Sequence, residues 1–109
     1  MKIIKLQSAL KQLKAINQEI SYKGCVSGSG FTAGLISFKP ARRSDLKQIE
    51  HPDKDVVCQV LKGRGRLRVR RRTVALQPGV ICHIPKGTPH DFAAEKKDLI
   101  LFYSLITTA

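Results

Sequence analysis

The chain has 109 residues, which is enough for one domain and too short for two of ordinary size. Hydrophobic residues make up 42% of it, yet no apolar run approaches the ~18 residues of a membrane-spanning helix, and lysines interrupt the start of the chain where a secretory signal would need an apolar stretch. Twenty lysines and arginines against eight aspartates and glutamates give a net charge of +12, which makes nucleic acid, an anionic surface or an acidic ligand the partners to consider.

Residues 1–20 form an N-terminal segment whose apolar positions recur at steps of three and four. They are Ile3, Leu6, Leu10, Leu13, Ile16 and Ile20. This spacing predicts a helix, most clearly over Gln7–Ile16. Met1–Lys5 could equally form a short strand that leads into it.

Beyond this segment, three glycines at 24, 28 and 30 break the helical pattern, and short runs typical of strands follow. The predicted strands are Phe31–Phe38, Val56–Leu61, Arg66–Leu76, Val80–Ile84 and Leu99–Ile106. Glycine, proline or aspartate turns bound them. The sequence therefore predicts one all-β domain over 1–109, with a barrel or sandwich at 31–106.

Basic residues concentrate in one stretch, since positions 56–90 contain no aspartate or glutamate. Five arginines alternate there: Arg64, Arg66, Arg68, Arg70 and Arg72. On one extended strand all five would project to one side and Leu67 and Val69 to the core. Such a face either stays solvated and protects a sheet edge or binds an anionic partner. It contains no aromatic residue, and the chain has no Trp, which argues against nucleic-acid binding.

Three cysteines, Cys25, Cys58 and Cys82, form no CxxC pair. Their spacing excludes a zinc ribbon, and their odd number argues against a disulfide framework. With no secretory signal recognisable, we expect reduced thiols in a cytoplasmic protein.

Two histidines carry the most informative pattern. His51 stands in a turn before a predicted strand, and His90 follows another strand across a turn that contains Pro85 and Gly87. Proline and glycine fix such a turn, so that His90 is held in position as a metal ligand must be.

Gly79, Pro85, Gly87 and His90 follow the order G-x5-P-x-G-x2-H, with Ala94 at the place of a final asparagine. In this the chain resembles the cupin superfamily, over roughly residues 31–105. The resemblance implies a small single-domain, double-stranded β-helix (jelly-roll) barrel with a short N-terminal helix.

The first cupin motif is only partly kept. His51 fits its second histidine and Gly63 its last glycine, whereas Ile49 stands for the first histidine and Val56 for the glutamate. The resemblance implies a divalent transition metal (Fe, Mn, Ni, Cu or Zn) on the inner wall, here with His51 and His90 as ligands. Stable sites normally have three or four ligands.

Two further ligands are considered, Asp55, four residues after His51, and His83 on the strand before the Pro85 turn. On a regular strand Asp55 and Val56 face opposite sides, so that Asp55 replaces the motif's glutamate only with a bulge. Val56 and Cys58 are expected to line an apolar ligand-binding wall. No group that would activate Cys58 as a nucleophile is recognisable.

These observations favour binding of a small anionic molecule at the barrel mouth, together with a divalent metal. A metal-dependent enzyme of dioxygenase or isomerase type is the alternative, and binding of an anionic partner on the face from Arg64 to Arg72 is a second one. Because the apolar run at 99–106 lacks clear alternation, we expect it to be buried on both sides. A homodimer interface is the expected cover, and an N-terminal segment packed over the run is the alternative. No membrane partner is expected.

Overall fold

The structure, a computed structural model, describes residues 1–40 and 51–108. Its elements are α1 (Leu6–Leu10), β1 (Lys14–Ala15), β2 (Ile20–Gly28), β3 (Phe31–Phe38), β4 (Lys54–Lys62), β5 (Gly65–Val69), β6 (Arg72–Leu76), β7 (Ile81–Ile84), β8 (His90–Ala94) and β9 (Leu99–Thr107). They form a six-stranded sheet in the order β1-β2-β3-β9-β4-β7 and a three-stranded sheet in the order β6-β5-β8. Every strand pair among the described residues is antiparallel, as in a jelly roll, and the predicted all-β fold with a short N-terminal helix is confirmed.

The main core lies between the two sheets. Val56, Cys58 and Val60 of β4 alternate with more exposed residues, which is the pattern of a strand with one buried face. They share the core with Leu99 and Leu101 of β9, which are 0% and 1% exposed. We call the side of the six-stranded sheet that faces this core its inner face and the opposite side its outer face.

The N-terminal segment covers part of the outer face. Ala9 of α1 forms a second, smaller buried cluster with Cys25 and Leu35, and Leu13 and Leu61 pack against it. Burial on both sides of the sheet thus explains why parts of the sequence lack alternation.

The predicted helix over Gln7–Ile16 is too long. The chain leaves the helix after Leu10 and turns so that β1 pairs with β2. The Asn17 side chain accepts hydrogen bonds from the backbone N–H groups of Glu19 and Ile20, each at 2.8 Å, and so stabilises this turn. Within the described residues, no helix is long and apolar enough to cross a membrane.

β2 is a strand that the sequence pattern did not predict. A register shift between Gly24 and Val26 breaks the alternation that would have indicated it. Gly34 of β3 lies against this stretch, where a Cβ would overlap the Lys23 carbonyl oxygen. Gly34 therefore allows the backbones of β2 and β3 to lie close together at this point.

The single strand predicted over Arg66–Leu76 is wrong. The chain makes a hairpin, with β5 and β6 joined by a two-residue turn at Arg70 and Arg71. Arg70 has φ 55, in the left-handed region that glycine or asparagine usually supplies. Without those residues, the sequence carried no turn signal at this point.

The hairpin also separates the five arginines that were expected on one face. Arg66 and Arg68 lie on the side of β5 opposite Leu67, away from the core. Arg72 pairs with Val69 and so belongs to the same side of the sheet as Leu67, because paired residues share a face. Arg70 is in the turn, and Arg64 precedes β5.

Candidate functional site

The two histidines of the candidate site come from different sheets. His51 lies just before β4 of the six-stranded sheet, and His90 is the first residue of β8 in the three-stranded sheet. Their ring centroids are 6.1 Å apart, with an angle of 37° between the ring planes. We call these two residues the histidine pair.

A turn between β7 and β8 joins the two parts of the site. The backbone N–H of Gly87 donates to the carbonyl oxygen of His51 at 2.8 Å, and the N–H of Thr88 donates to that of Pro85 at 3.3 Å. Gly87 has φ 74, which a side chain would disfavour. The motif residues Pro85 and Gly87 therefore hold the turn against the segment that carries His51.

The structure fixes the tautomer of His90. Its Nδ1 lies 2.9 Å from the carbonyl oxygen of Thr88, which can only accept a hydrogen bond, so Nδ1 carries the proton. In the neutral ring Nε2 then keeps a lone pair, as a metal ligand or hydrogen-bond acceptor requires. The ring packs edge-on against Phe92 at 5.8 Å, and the residue is only 2% exposed. His90 is therefore held rigidly.

His51 is less buried than His90, and its pKa is lowered. Partial burial is the main cause, followed by the positive charges of a protonated His90 and of Lys54, while Asp53 opposes the shift. Both causes favour the neutral imidazole, which is the form that binds a metal.

The structure does not support Asp55 and His83 as additional ligands beside the histidine pair. Val56 and Ile84 are cross-strand partners buried on the inner face. Asp55 and His83 each precede one of these residues in the same strand, so they lie on the outer face. His83 Nε2 lies 3.4 Å from Asp55 Oδ2. The Lys86 backbone N–H donates to Asp55 Oδ1 at 2.9 Å and is the main cause of a lowered Asp55 pKa. Regular strand alternation, without a bulge beside Val56, places both side chains on this face.

Val56 and Cys58, the expected wall residues, lie on the inner face and are 6% and 2% exposed. They are thus core residues packed between the sheets. Sequence reasoning missed Thr88, whose carbonyl orients His90, and no sequence signal marks a backbone acceptor.

The donor set around the histidine pair limits the metal it could hold. Among residues 1–40 and 51–108, no group of three His, Cys, Asp or Glu side chains could hold a metal ion. The pair offers two imidazole nitrogens, which suit Zn, Cu, Fe or Ni. These residues fit a weakly held divalent ion whose other positions are taken by water or by a ligand.

Within residues 1–40 and 51–108, Arg68 is the arginine that lies within 4 Å of a carboxylate. Its Nη2 is 3.4 Å from Oδ2 of Asp91, whose side chain is 12% exposed. The two residues are cross-strand partners in β5 and β8, and the contact neutralises part of the arginine face.

An open groove of about 510 Å³ lies away from the histidine pair, between the N-terminal segment and β2. It is lined by residues that include Lys2, Lys5, Lys23 and Cys25. Its position does not coincide with the barrel mouth that the sequence singled out.

Comparison with known families and structures places this geometry in context. A family model described as a cupin domain matches residues 34–106. A protein of Thermus thermophilus is 22% identical, with 98% of each chain covered and a TM-score of 0.78. A cupin-2 domain containing protein from Shewanella frigidimarina is 22% identical over 94% of this chain and 92% of that one, with a TM-score of 0.74.

A Thermotoga maritima structure described as a predicted oxalate decarboxylase is 15% identical over 82% of this chain and 81% of that one, with a TM-score of 0.72. At these identities the likeness concerns the fold alone. No curated protein matches the chain.

Proposed function

The chain belongs to the cupin domain family, and on that premise we propose that it binds a small anionic molecule at the barrel mouth between His51 and His90, together with a weakly held divalent metal. The observation that carries the proposal is the meeting of two imidazoles, one from the segment before β4 and one from the start of β8, with centroids 6.1 Å apart. Residues brought together from distant parts of the sequence and fixed by a buried carbonyl contact are typical of a binding site.

The charges around the site support an anionic ligand. The net charge is +12, and Lys54 is close enough to lower the pKa of His51. An anion between the rings would favour protonation of His51 and gain a charge-assisted hydrogen bond from it. The same imidazole would bind a metal only when neutral, so that pH separates the two modes of binding.

The metal would be held by His51 and His90 Nε2, and when bound it supplies a positive charge that polarises a ligand oxygen. The chain's own residues do the positioning: the Thr88 carbonyl fixes the His90 tautomer, and Gly87 holds the His51 backbone. Two protein ligands favour binding over the alternative, a metal-dependent enzyme, because characterised catalytic sites usually have three.

The test uses zinc alone and inorganic phosphate alone as probes, with NMR of the histidine rings as the readout. Zinc should shift the His51 and His90 signals, and either His51→Ala or His90→Ala should abolish those shifts. His83→Ala is the matched control, since His83 lies on the outer face, and it should leave them unchanged. Phosphate should shift the His51 signal at a pH near 6 and less at a pH near 8.

Two outcomes would overturn the proposal. In one, zinc shifts only the His83 signals. In the other, neither probe perturbs the histidine pair at millimolar concentration.

We also propose that the chain forms a homodimer through the outer face of the six-stranded sheet. Phe31 and Ile106 are cross-strand partners on that face and are 41% and 37% exposed, and Phe102 in the same strand is 39% exposed. Large apolar side chains that adjoin each other on a sheet are typical of a contact surface. The C-terminal apolar run thus has a reason to remain apolar on its outer side.

Light scattering on the full chain tests this. The native mass should be twice that of the monomer, and Phe102→Glu should reduce it to the monomer mass. Thr73→Glu, an exposed position on β6 in the other sheet, is the control and should leave the dimer intact. A monomeric native chain at high concentration would refute this proposal.

A further inference from the structure

Cys58 and Cys82, which we call the thiol pair, lie directly opposite each other on neighbouring strands. Cys58 is in the middle of β4, Cys82 is in β7, and their Cα atoms are register partners. Paired residues project to the same side of a sheet, so both thiols lie on the inner face. Each is a free cysteine, and a contact between the two thiols is strong enough to perturb the pKa of both.

The ladder shows which kind of cross-strand pair this is. Two residues further along, the Val60 N–H donates to the Val80 carbonyl and the Val60 carbonyl accepts from the Gly79 N–H, each at 2.9 Å. Gly79 and Val80 therefore oppose Val60 together, as a bulge at a hydrogen-bonded position of the ladder. Hydrogen-bonded and non-hydrogen-bonded pairs alternate along an antiparallel ladder, so Cys58 and Cys82 also form a hydrogen-bonded pair. Their Cα atoms are therefore ~5.5 Å apart, within the range of natural disulfides.

We propose that Cys58 and Cys82 form a dithiol site that small disulfides oxidise reversibly to an intrachain disulfide. The Cys82 thiolate attacks one sulfur of a low-molecular-weight disulfide, such as glutathione disulfide, and releases one thiol with a mixed disulfide on Cys82. The Cys58 sulfur then attacks Cys82, forms the Cys58–Cys82 bond and releases the second thiol. Two protein thiols are oxidised and one disulfide is reduced to two thiols, so that atoms and electrons balance.

The order of attack follows from access. Cys58 is 2% exposed, whereas Cys82 is half-buried and belongs to β7, the last strand of its sheet among the described residues. A hydrogen bond from the Cys58 thiol lowers the pKa of Cys82 to about 7, which supports Cys82 as the attacking thiol. Cys25 is also buried, and its partners Ala9 and Leu35 form the separate cluster on the outer face.

The disulfide would attach β7 covalently to β4. In the part of the chain that the structure describes, β4 is the one strand paired with β7, which leads into the turn that carries Gly87 and then His90. Oxidation would therefore fix the strand that precedes one member of the histidine pair. The thiol site itself does not depend on ligand binding at that pair.

Treatment of the full reduced chain with glutathione disulfide tests the proposal, followed by alkylation in denaturant and intact mass measurement. Alkylatable thiols should fall from three to one, and peptide mapping should link Cys58 to Cys82. Dithiothreitol should restore all three. Cys25→Ser is the matched control and should keep the same loss of two thiols.

Two variants identify each sulfur's role. Cys58→Ser should stop at a mixed disulfide with one glutathione per chain, and Cys82→Ser should react at least ~10-fold more slowly than the native chain. Loss of the response in Cys25→Ser, a disulfide that links two chains, or three alkylatable thiols after oxidation would each overturn the proposal. If Cys58→Ser does not fold, peptide mapping of the native chain still decides it.

Discussion

Replacing Gly63 by alanine should cost far more stability than the same change at Gly79. Both are motif glycines with a left-handed backbone, at φ 84 and φ 96. A Cβ on Gly79 would meet no atom within 4 Å, whereas one on Gly63 would overlap the carbonyl oxygen of Asp98 and lie 3.1 Å from the Cα of Leu99. The two substitutions thus share the same cost of a left-handed backbone, and they differ in whether the new Cβ meets a neighbouring backbone.

The magnitudes follow from these contacts. A left-handed backbone destabilises alanine relative to glycine by roughly 1–2 kcal/mol. The lower entropy of alanine in the unfolded chain offsets about 0.4–1 kcal/mol of this loss. Gly79→Ala should therefore lose about 1 kcal/mol. In Gly63→Ala the Asp98–Leu99 backbone must also move, and Leu99 is 0% exposed. Displacing such a core residue adds about 2 kcal/mol, for a total near 3 kcal/mol.

Urea unfolding of the two variants and the native chain measures the difference. Far-UV circular dichroism is the suitable signal, because the chain contains no Trp and two Tyr. The ~2 kcal/mol gap between the variants corresponds to about 10 °C in Tm for a domain of this size. Equal losses, within about 0.5 kcal/mol, would refute the steric explanation and leave only the shared backbone conformation.

Three further outcomes are expected. The pKa of His51 in the folded chain is lowered from 6.5, so the unfolded chain binds the proton more readily. The free energy of unfolding should therefore fall as the pH drops from about 7 through 6.5 towards the lowered pKa. Urea titrations at several pH values should show a smaller fall in His51→Gln. Arg68→Ala should lower the free energy of unfolding by about 1 kcal/mol, because it leaves the nearly buried Asp91 without its cation. Arg66→Ala, on the same exposed face, should lower it by under about 0.5 kcal/mol in the same assay. Oxidation of the thiol pair closes the loop from 58 to 82 and should raise the free energy of unfolding by at most about 3.5 kcal/mol, less any strain in the disulfide. The urea midpoint with and without dithiothreitol measures the change. No increase would mean that strain cancels the entropic gain.

Some elements of the fold were predictable because one local pattern decided them. Phe31–Phe38 was predicted with its observed bounds, since apolar residues and turn signals at both ends agree. The structure also brings His51 and His90 together, as the motif spacing in the sequence suggested. Whether they bind a metal or a ligand stays a prediction, and so does a cytoplasmic location.

Other elements depended on interactions that no local pattern contains. β8 was missed because His90–Ala94 is short and contains Asp91, whose charge on the side away from the core is balanced by Arg68 on the neighbouring strand β5. Asp55 was offered as a ligand on spacing alone, while its side of the strand depended on the absence of a bulge beside Val56. Ile49, at the position of the motif's first histidine, lies outside the described residues.

His51 precedes a strand of the six-stranded sheet and His90 begins a strand of the three-stranded one, so the proposed site would connect the two sheets. A molecule that bridges the two rings ties the six-stranded sheet to the three-stranded one, and separating the sheets would then require releasing it. The binding free energy of that molecule would therefore add to the free energy needed to open the barrel. Amide hydrogen exchange should then slow in β4 and β8 together, although neither strand pairs with the other. Occupancy of the barrel mouth would in this way change how readily the two sheets of the domain separate.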